Sequence, residues 1–437
     1  MARAVVAVVG RPNVGKSALF NRLVGERVAI VEDLPGTTRD RIYATADWRG
    51  REFALVDTGG LDDPRAGTME AAVREQADLA IAEADLVLFI VDAKAGILPV
   101  EHDVADQLRR SRKPTLVVAN KSDSWRGEAQ AAEFYELGLG EVHTVSALQG
   151  TGTGDLLDAV VAALPPIDEP EAAHDARVAI IGRPNVGKSS FLNTLVGTRR
   201  AVVTELPGTT RDTVDTVIER NGRRIVLIDT AGIRRRGRVE QGIEQYALLR
   251  TVRAIERADV AILLVDAVEG IVDGDVHIAG YALEAGVGLV LAINKWDAVE
   301  HGMDTTERAL ADVTREFHFA PWMPSHFVSA KTGRNVEATL LDAAGVVATR
   351  ATHVPTGELH RLLVDAIGSH PPPTSRGKEI RFHHVTQVKA ATPTFVFFVD
   401  RPDLVHFSYR RYLENRIRER FPFPGTPIRI ELRRARE

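Results

Sequence analysis

Two lysines, Lys16 and Lys188, stand in the same eight-residue setting, GRPNVGKS, at 10–17 and again at 182–189. The glycines at its first and sixth positions (Gly10 and Gly15; Gly182 and Gly187) let the backbone curl so that N–H groups point at phosphate oxygens. The lysine then reaches the outer phosphates, and the hydroxyl of Ser17 or Ser189 becomes a ligand for Mg²⁺. The remaining residues, Arg11, Pro12, Asn13 and Val14 in one copy and Arg183, Pro184, Asn185 and Val186 in the other, belong to the same nucleotide-binding loop. Each loop follows an apolar, strand-like run (4–9, 177–181) and opens a predicted helix (16–24, 188–196), the context the pattern requires. The helix N-terminus adds a favourable dipole for an anion.

Further pairs repeat at the same offset of 172 residues. DTGG at 57–60 is answered by DTAG at 229–232, and PGTTRD at 35–40 by PGTTRD at 207–212. Asp57 and Asp229 end apolar strands, where a carboxylate can hold Mg²⁺ through water, while Gly60 and Gly232 can offer an N–H to a γ-phosphate. Thr58, Gly59 and Leu61, with Thr230, Ala231 and Ile233, complete those turns around the nucleotide. Thr38 and Thr210 are the candidates for closing on Mg²⁺ and the γ-phosphate; Thr37 and Thr209 are alternatives of identical chemistry. Base choice falls to NKSD (120–123) and NKWD (294–297). An ionised Asp123 or Asp297 accepts two hydrogens from guanine N1–H and N2–H₂, which adenine cannot offer. Asn120, Lys121, Asn294 and Lys295 belong to the same base-binding loops, the two asparagines fixing loop and base edge. Ser146 with Ala147 and Ser329 with Ala330 supply backbone N–H groups toward guanine O6. GTP is favoured over ATP, with GDP as its product, one nucleotide and one Mg²⁺ per copy.

A repeat of this length means two whole domains in tandem. Continuous apolar strands alternating with helices predict, in each, a mostly parallel sheet covered on both faces. The runs are 4–9, 53–57, 86–92 and 115–119, then 177–181, 224–229, 260–266 and 288–293; segments 40–49 and 212–220 read as edge or hairpin strands. Between the copies, PPIDEPEAAHDA (165–176) is rich in proline and acid and reads as a linker. The expected division is 1–164, linker 165–176, 177–350 and a third module at 352–437. The absence of cysteine excludes disulfides, thiolate metal sites and a thiol nucleophile. No apolar run approaches the roughly 18–20 residues of a membrane span, and the N-terminus reads as a first strand, so a cytoplasmic protein without membrane contact is expected.

The last module differs in charge. Residues 352–437 carry 15 Lys+Arg against 9 Asp+Glu, whereas the rest carries 40 against 51. A basic end on an acidic body suits a polyanionic partner. Its pattern predicts a helix at 357–369, strands at 379–389 and 394–400, a helix at 405–420 and a strand at 427–434. Tyr409, Tyr412, Leu413 and Ile417 would face the sheet, and Phe395, Phe397 and Phe398 would lie in the core. RRRGR at 234–238 reads as a solvated basic loop or an RNA or interdomain contact.

Together these motifs resemble the TRAFAC-class GTPases. Two such domains followed by a small basic one resemble the EngA/Der family of bacterial ribosome-assembly GTPases, over essentially the whole chain. The resemblance implies an α/β protein with two tandem P-loop GTPase domains and a small α+β KH-like C-terminal domain. It also implies GTP hydrolysis as a switch in ribosome biogenesis, with the large ribosomal subunit and rRNA as partners of a monomer. Leu61 and Ile233 stand where other GTPases carry a water-orienting Gln. In similar GTPases the loop asparagine, here Asn13 or Asn185, coordinates K⁺, which supplies charge at the transferring phosphoryl; the catalytic residues are then Lys16, Lys188, Asn13 and Asn185. One departure is plain: 352–437 contains no Gly-x-x-Gly, the KH loop that clamps a nucleic-acid backbone. A basic phosphate-binding surface or docking against the second G domain remain as its roles. The alternative for the whole chain is a GTP-gated scaffold in which only one G domain turns over.

Overall fold

The computed structural model describes residues 3–25, 43–58, 69–123, 131–166, 174–197, 204–206, 215–228, 244–300, 302, 304–372 and 379–435. They fall into two compact units, Met1–Ala172 with Val239–Arg257, and Ala173–Arg238 with Ala258–Glu437.

In the first unit, β1 (Ala4–Val9) is apolar at every position and wholly buried, as a central parallel strand must be. Around it run β2 (Tyr43–Trp48), β3 (Arg51–Asp57), β4 (Leu86–Asp92), β5 (Thr115–Asn120) and β6 (Val142–Thr144), in the order β2-β3-β1-β4-β5-β6. All neighbours are parallel except β2, the expected hairpin partner of β3 at the edge. The twofold alternation of a strand divides its side chains between the two faces. Ala4, Val6 and Val8 join the core under α1 (Lys16–Val24) and α4 (Thr153–Ala163), through Leu19, Phe20, Leu156 and Val160. Ala7 and Val9 face α2 (Met69–Glu83) and α3 (Pro99–Ser111), through Val73, Ala77, Val104 and Leu108.

The same unit includes a helix from later in the chain, α6 (Glu244–Arg257). It is held by charge: Arg250 donates to Glu83 at 2.5 Å, and Arg253 lies 3.9 Å from both Glu83 and Asp85. Glu256 is buried between Tyr43, whose hydroxyl donates to it, and Arg3, and burial pushes its carboxyl above the ordinary range.

The second unit repeats the plan with β7 (Ala176–Ile181), α5 (Lys188–Gly197), β8 (Thr204–Leu206), β9 (Asp215–Arg220), β10 (Arg223–Ile228), β11 (Val260–Asp266), α7 (Asp273–Glu284), β12 (Gly288–Asn294), α8 (Thr305–Glu316), β13 (Ser325–Phe327) and α9 (Val336–Arg350). The sheet order is β13-β12-β11-β7-β10-β9-β8. The 212–220 segment yields β9, the expected hairpin partner of β10, and the three-residue β8 pairs outside it at the edge. Phe191, Leu192, Leu340 and Ala343 from α5 and α9 close one face.

The C-terminal module has the expected α-β-β-α-β order: α10 (Thr356–Ser369), β14 (Phe382–Val388), β15 (Thr394–Val399), α11 (Phe407–Arg420) and β16 (Arg429–Arg434). β15 is central, antiparallel to β14 and parallel to β16. Tyr409, Leu413, Ile417, Phe395 and Phe397 are buried against one another, Tyr412 packs at the margin, and Phe398 is only half-buried because it alternates to the other face of β15. Within the second unit this module is joined to the preceding sheet and helices by backbone bonds. Leu289 donates to the Gly425 carbonyl at 2.7 Å, and Gly425 to that of Trp322 at 2.9 Å. Arg350 donates to the carbonyls of Gly286 and Ala391, and burial lowers its guanidinium to about 10. The Arg418 guanidinium lies 4.7 Å over the Trp322 ring. Docking against the second G domain is therefore the role that this geometry displays for Arg418. No described helix is long and apolar enough to cross a membrane.

Candidate functional site

The two loops close in the same way. Lys16 Nζ donates to the carbonyls of Gly10 (2.6 Å) and Arg11 (3.1 Å); Lys188 Nζ donates to those of Gly182 (2.6 Å) and Arg183 (2.5 Å). Each ammonium is thus held at the mouth of a ring of its own backbone, where successive N–H groups favour an anion. Asn13 and Asn185 sit at φ 65° with exposed side chains, and this left-handed step turns the chain toward the helix. Gly15 and Gly187, at φ 92° and 101°, have no room for a side chain. A Cβ there would strike the amide of Asn120 or Asn294.

Those asparagines bind the loops together. Asn120 Nδ2 donates to the Val14 carbonyl at 2.8 Å while its Oδ1 accepts from the Ala147 N–H at 3.0 Å. Asn294 repeats both bonds, to Val186 at 2.8 Å and from Ala330 at 2.9 Å. Both amides are buried, so every bond they make is costly to lose. The N–H groups of Ala147 and Ala330 are therefore engaged by asparagine. Lys121, at φ 67°, crosses from the Asn13 carbonyl (2.6 Å) to Asp92 (2.7 Å), and Lys295 meets Asp266 at 2.5 Å. Burial opposes the charge on Asp92 and Asp266, yet these lysines and local amides hold both below the ordinary carboxylate range.

The two carboxylates expected to read the base are both held low, each by a serine and the first also by a lysine. Lys94 Nζ donates to Asp123 at 2.6 Å and Ser146 Oγ at 2.7 Å; Asp297 owes its lowering first to Ser329. A carboxylate kept ionised is the acceptor that guanine requires.

For Mg²⁺ the first copy supplies hard oxygen donors in contact: Ser17 Oγ donates to Asp57 Oδ2 at 2.8 Å, at the first turn of α1 and the end of β3. A hydroxyl beside a carboxylate fits a small divalent cation that keeps most of its waters. Thr58 points elsewhere, into the core, donating to the Val8 carbonyl at 2.6 Å. Ser189 lies at the corresponding turn of α5. Thr37, Thr38, Gly59, Gly60, Leu61, Thr209, Thr210, Asp229, Thr230, Ala231, Gly232, Ile233 and RRRGR at 234–238 lie outside the described residues.

Several residues of these sites went unread in the sequence. Asp92 and Asp266 end β4 and β11 in VDA at 91–93 and 265–267, a repeat that could have revealed them. Arg22 donates to the carbonyls of Ala147 and Leu148, and Thr194 to that of Ala330, buttressing the base loops from α1 and α5. Lys94 gave no signal, because its counterpart is Val268.

The fold and geometry agree with what the chain is similar to. A family model described as "50S ribosome-binding GTPase" matches residues 5–121 and 177–295. One described as the KH-domain-like C-terminal domain of EngA bacterial GTPase enzymes matches 353–433. GTPase Der of Thermomicrobium roseum is 55% identical, covering 98% of this chain and 95% of its own length. GTPase Der of Moorella thermoacetica is 48% identical over the whole of both chains. Among solved structures, Era of Aquifex aeolicus bound to GDP·AlF₄⁻ aligns with TM-score 0.30 and 18% identity, covering 59% of this chain and 92% of Era.

Proposed function

The chain belongs to the GTPase Der family, and from that premise we propose that it is a two-site GTP switch acting in assembly of the large ribosomal subunit. It is a GTPase, hydrolysing GTP to GDP and phosphate. The observation that carries the proposal is the duplicate: two loops with the same lysine–carbonyl and asparagine–carbonyl bonds, the second sharing a unit with the KH-like module.

In each copy the backbone ring receives the phosphates, and Lys16 or Lys188, steadied by the loop carbonyls, reaches the β- and γ-oxygens. Ser17 with Asp57 would hold Mg²⁺, as would Ser189 with Asp229. When bound, that ion neutralises charge developing on the transferred group. Asn13 and Asn185 are assigned to K⁺ by the family resemblance; equal hydrolysis in Na⁺ and K⁺ would remove that assignment. Asp123 and Asp297 read guanine. Loss of the γ-phosphate would release the contacts around Thr38 and Thr210 and bias the domains toward a second arrangement. The expected partner is the large subunit with its rRNA, met by a cytoplasmic monomer, and the expected division remains 1–164, 165–176, 177–350 and 352–437.

The test is co-sedimentation with purified ribosomal subunits at two salt concentrations, with a non-hydrolysable GTP analogue or with GDP. The proposal expects analogue-dependent pelleting with the large subunit, weakened by salt. Absence of pelleting in every nucleotide state would overturn the ribosomal part and leave a two-site GTPase with another partner.

A further inference from the structure

Both loop arginines turn their side chains toward a buried carboxylate. Arg11 Nε donates to Glu101 Oε1 at 3.0 Å, and Glu101 Oε2 accepts the Leu98 N–H at 2.8 Å. Arg183 Nε donates to Asp275 Oδ1 at 2.9 Å, and Asp275 Oδ2 accepts the Val272 N–H at 3.2 Å. Glu101 and Asp275 are the third residues of α3 and α7 and are fully buried. One carboxylate therefore caps a helix with one oxygen and grips the phosphate loop with the other. With its carboxylate out of solvent, such a pair holds geometry in a way that a fully exposed ion pair does not. The backbone of the gripped arginine is also in use, since its carbonyl receives the loop lysine.

We propose that Arg11 and Arg183 are positioning residues. Through their carbonyls they place Lys16 and Lys188, and through their guanidiniums they fix the loop to the N-terminus of α3 or α7. The two copies achieve the link with different chemistry. The first uses the longer Glu101 beside Val100. The second uses Asp275, one methylene shorter, beside Gly274, and the Arg183 stem comes closer: a Cβ on Gly274 would stand 2.8 Å from Arg183 Cδ. The second link also has a further partner, Glu269, 2.9 Å from Arg183 Nη2. The corresponding residue of the first copy is Ala95, and Arg11 Nη2 is buried without a partner. Each acidic residue matches its neighbour, so the pairs should be interchangeable together and not singly.

This rests on reading the two loops as nucleotide sites, and the experiment separates the two ideas. In full-length protein carrying Lys16→Ala, which confines turnover to the second site, the dissociation constant of a fluorescent GTP analogue and kcat are measured separately, with the midpoint of thermal unfolding. Gly274→Val, which pushes Arg183 off Asp275, should weaken analogue binding or kcat on the order of tenfold or more, as an ångström-scale displacement does. Arg183→Ala should do the same, while leaving the helix cap on Asp275 in place. Gly274→Val with Asp275→Glu installs the first copy's pair and should return both constants to within about threefold of the parent. Parent-like constants in Arg183→Ala, or a double variant as impaired as Gly274→Val at an unchanged unfolding midpoint, would overturn the proposal. If Lys188→Ala in the same background left turnover intact, the site reading itself would fall.

Discussion

The two proposed nucleotide sites are alike in the bonds that close the phosphate loop and unlike at the base. In the first, both oxygens of Asp123 are taken, one by Lys94 and one by Ser146; in the second, Val268 stands where Lys94 would, and Asp297 answers to Ser329. Guanine entering the first site must displace or share an ammonium, while in the second it meets a carboxylate without that competitor. The base loop is braced differently too, by two bonds from Arg22 in the first copy and one from Thr194 in the second. The loop that would face the phosphates is shared, although the arginine link behind it differs, because its course is set by Gly15, Gly187 and the buried asparagines. What differs at the base end is Lys94, an exposed side chain, and an ion pair made by such a residue is gained or lost cheaply.

The common half is the easier to break. Asn120→Ala and Asn294→Ala each remove two buried hydrogen bonds that join the phosphate loop to the base loop. At about 1–3 kcal/mol for each of the two buried groups left unpaired, either variant should weaken GTP binding in its own copy on the order of thirtyfold or more. Isothermal titration in a background with the other lysine replaced would show it. Equal losses in the two copies are expected, since the bond lengths are matched.

The differing half gives a smaller effect. Lys94→Ala frees one oxygen of Asp123 and should tighten guanine nucleotide in the first copy by no more than about a few-fold, as the loss of an exposed pair does. The gain should be larger at low salt than at high, because the lost interaction is screened. The second copy should not respond. Weaker binding in the variant would mean that Lys94 assists the nucleotide.

A pH series refines this and is expected to be nearly silent. Asp123 and Asp297 both titrate below the ordinary value of 3.8, Asp123 chiefly through Lys94 and Asp297 chiefly through Ser329. A depressed carboxylate keeps its charge above the unfolded value and loses it only as pH falls through the folded one. Guanine affinity should therefore be level from about pH 8 down to about pH 5. In Lys94→Ala the acid limb should begin at a higher pH in the first copy alone, a shift that fluorescence titration would detect.

How much was readable from the sequence follows the same line. The two loops depend on glycines, a lysine and a serine at fixed spacing, so GRPNVGKS disclosed their turn into a helix twice, and the continuous apolar runs disclosed the parallel strands. The three-residue strands β6, β8 and β13 were not readable, since so short a segment has no measurable period. Lys94, Glu101, Asp275 and Arg22 were missed because each acts through a side chain brought from a distant element. The ties of α6 to Glu83, Asp85, Tyr43 and Arg3 lie more than 160 residues apart in the chain, and scattered charges leave no pattern. The C-terminal module was legible in element order, yet not in the fact that Arg350, Arg418 and Arg429 bind backbone or an aromatic ring of its own unit.

The central claim is that both loops are working hydrolytic sites, each complete in its own copy. Its most direct test is steady-state release of phosphate from GTP by Lys16→Ala, Lys188→Ala and the double variant, at saturating GTP and Mg²⁺. The account predicts a partial loss in each single variant and loss of essentially all turnover in the double. A single variant that abolishes turnover beside another that leaves it untouched would contradict it, and would make one of the two loops a binding scaffold only.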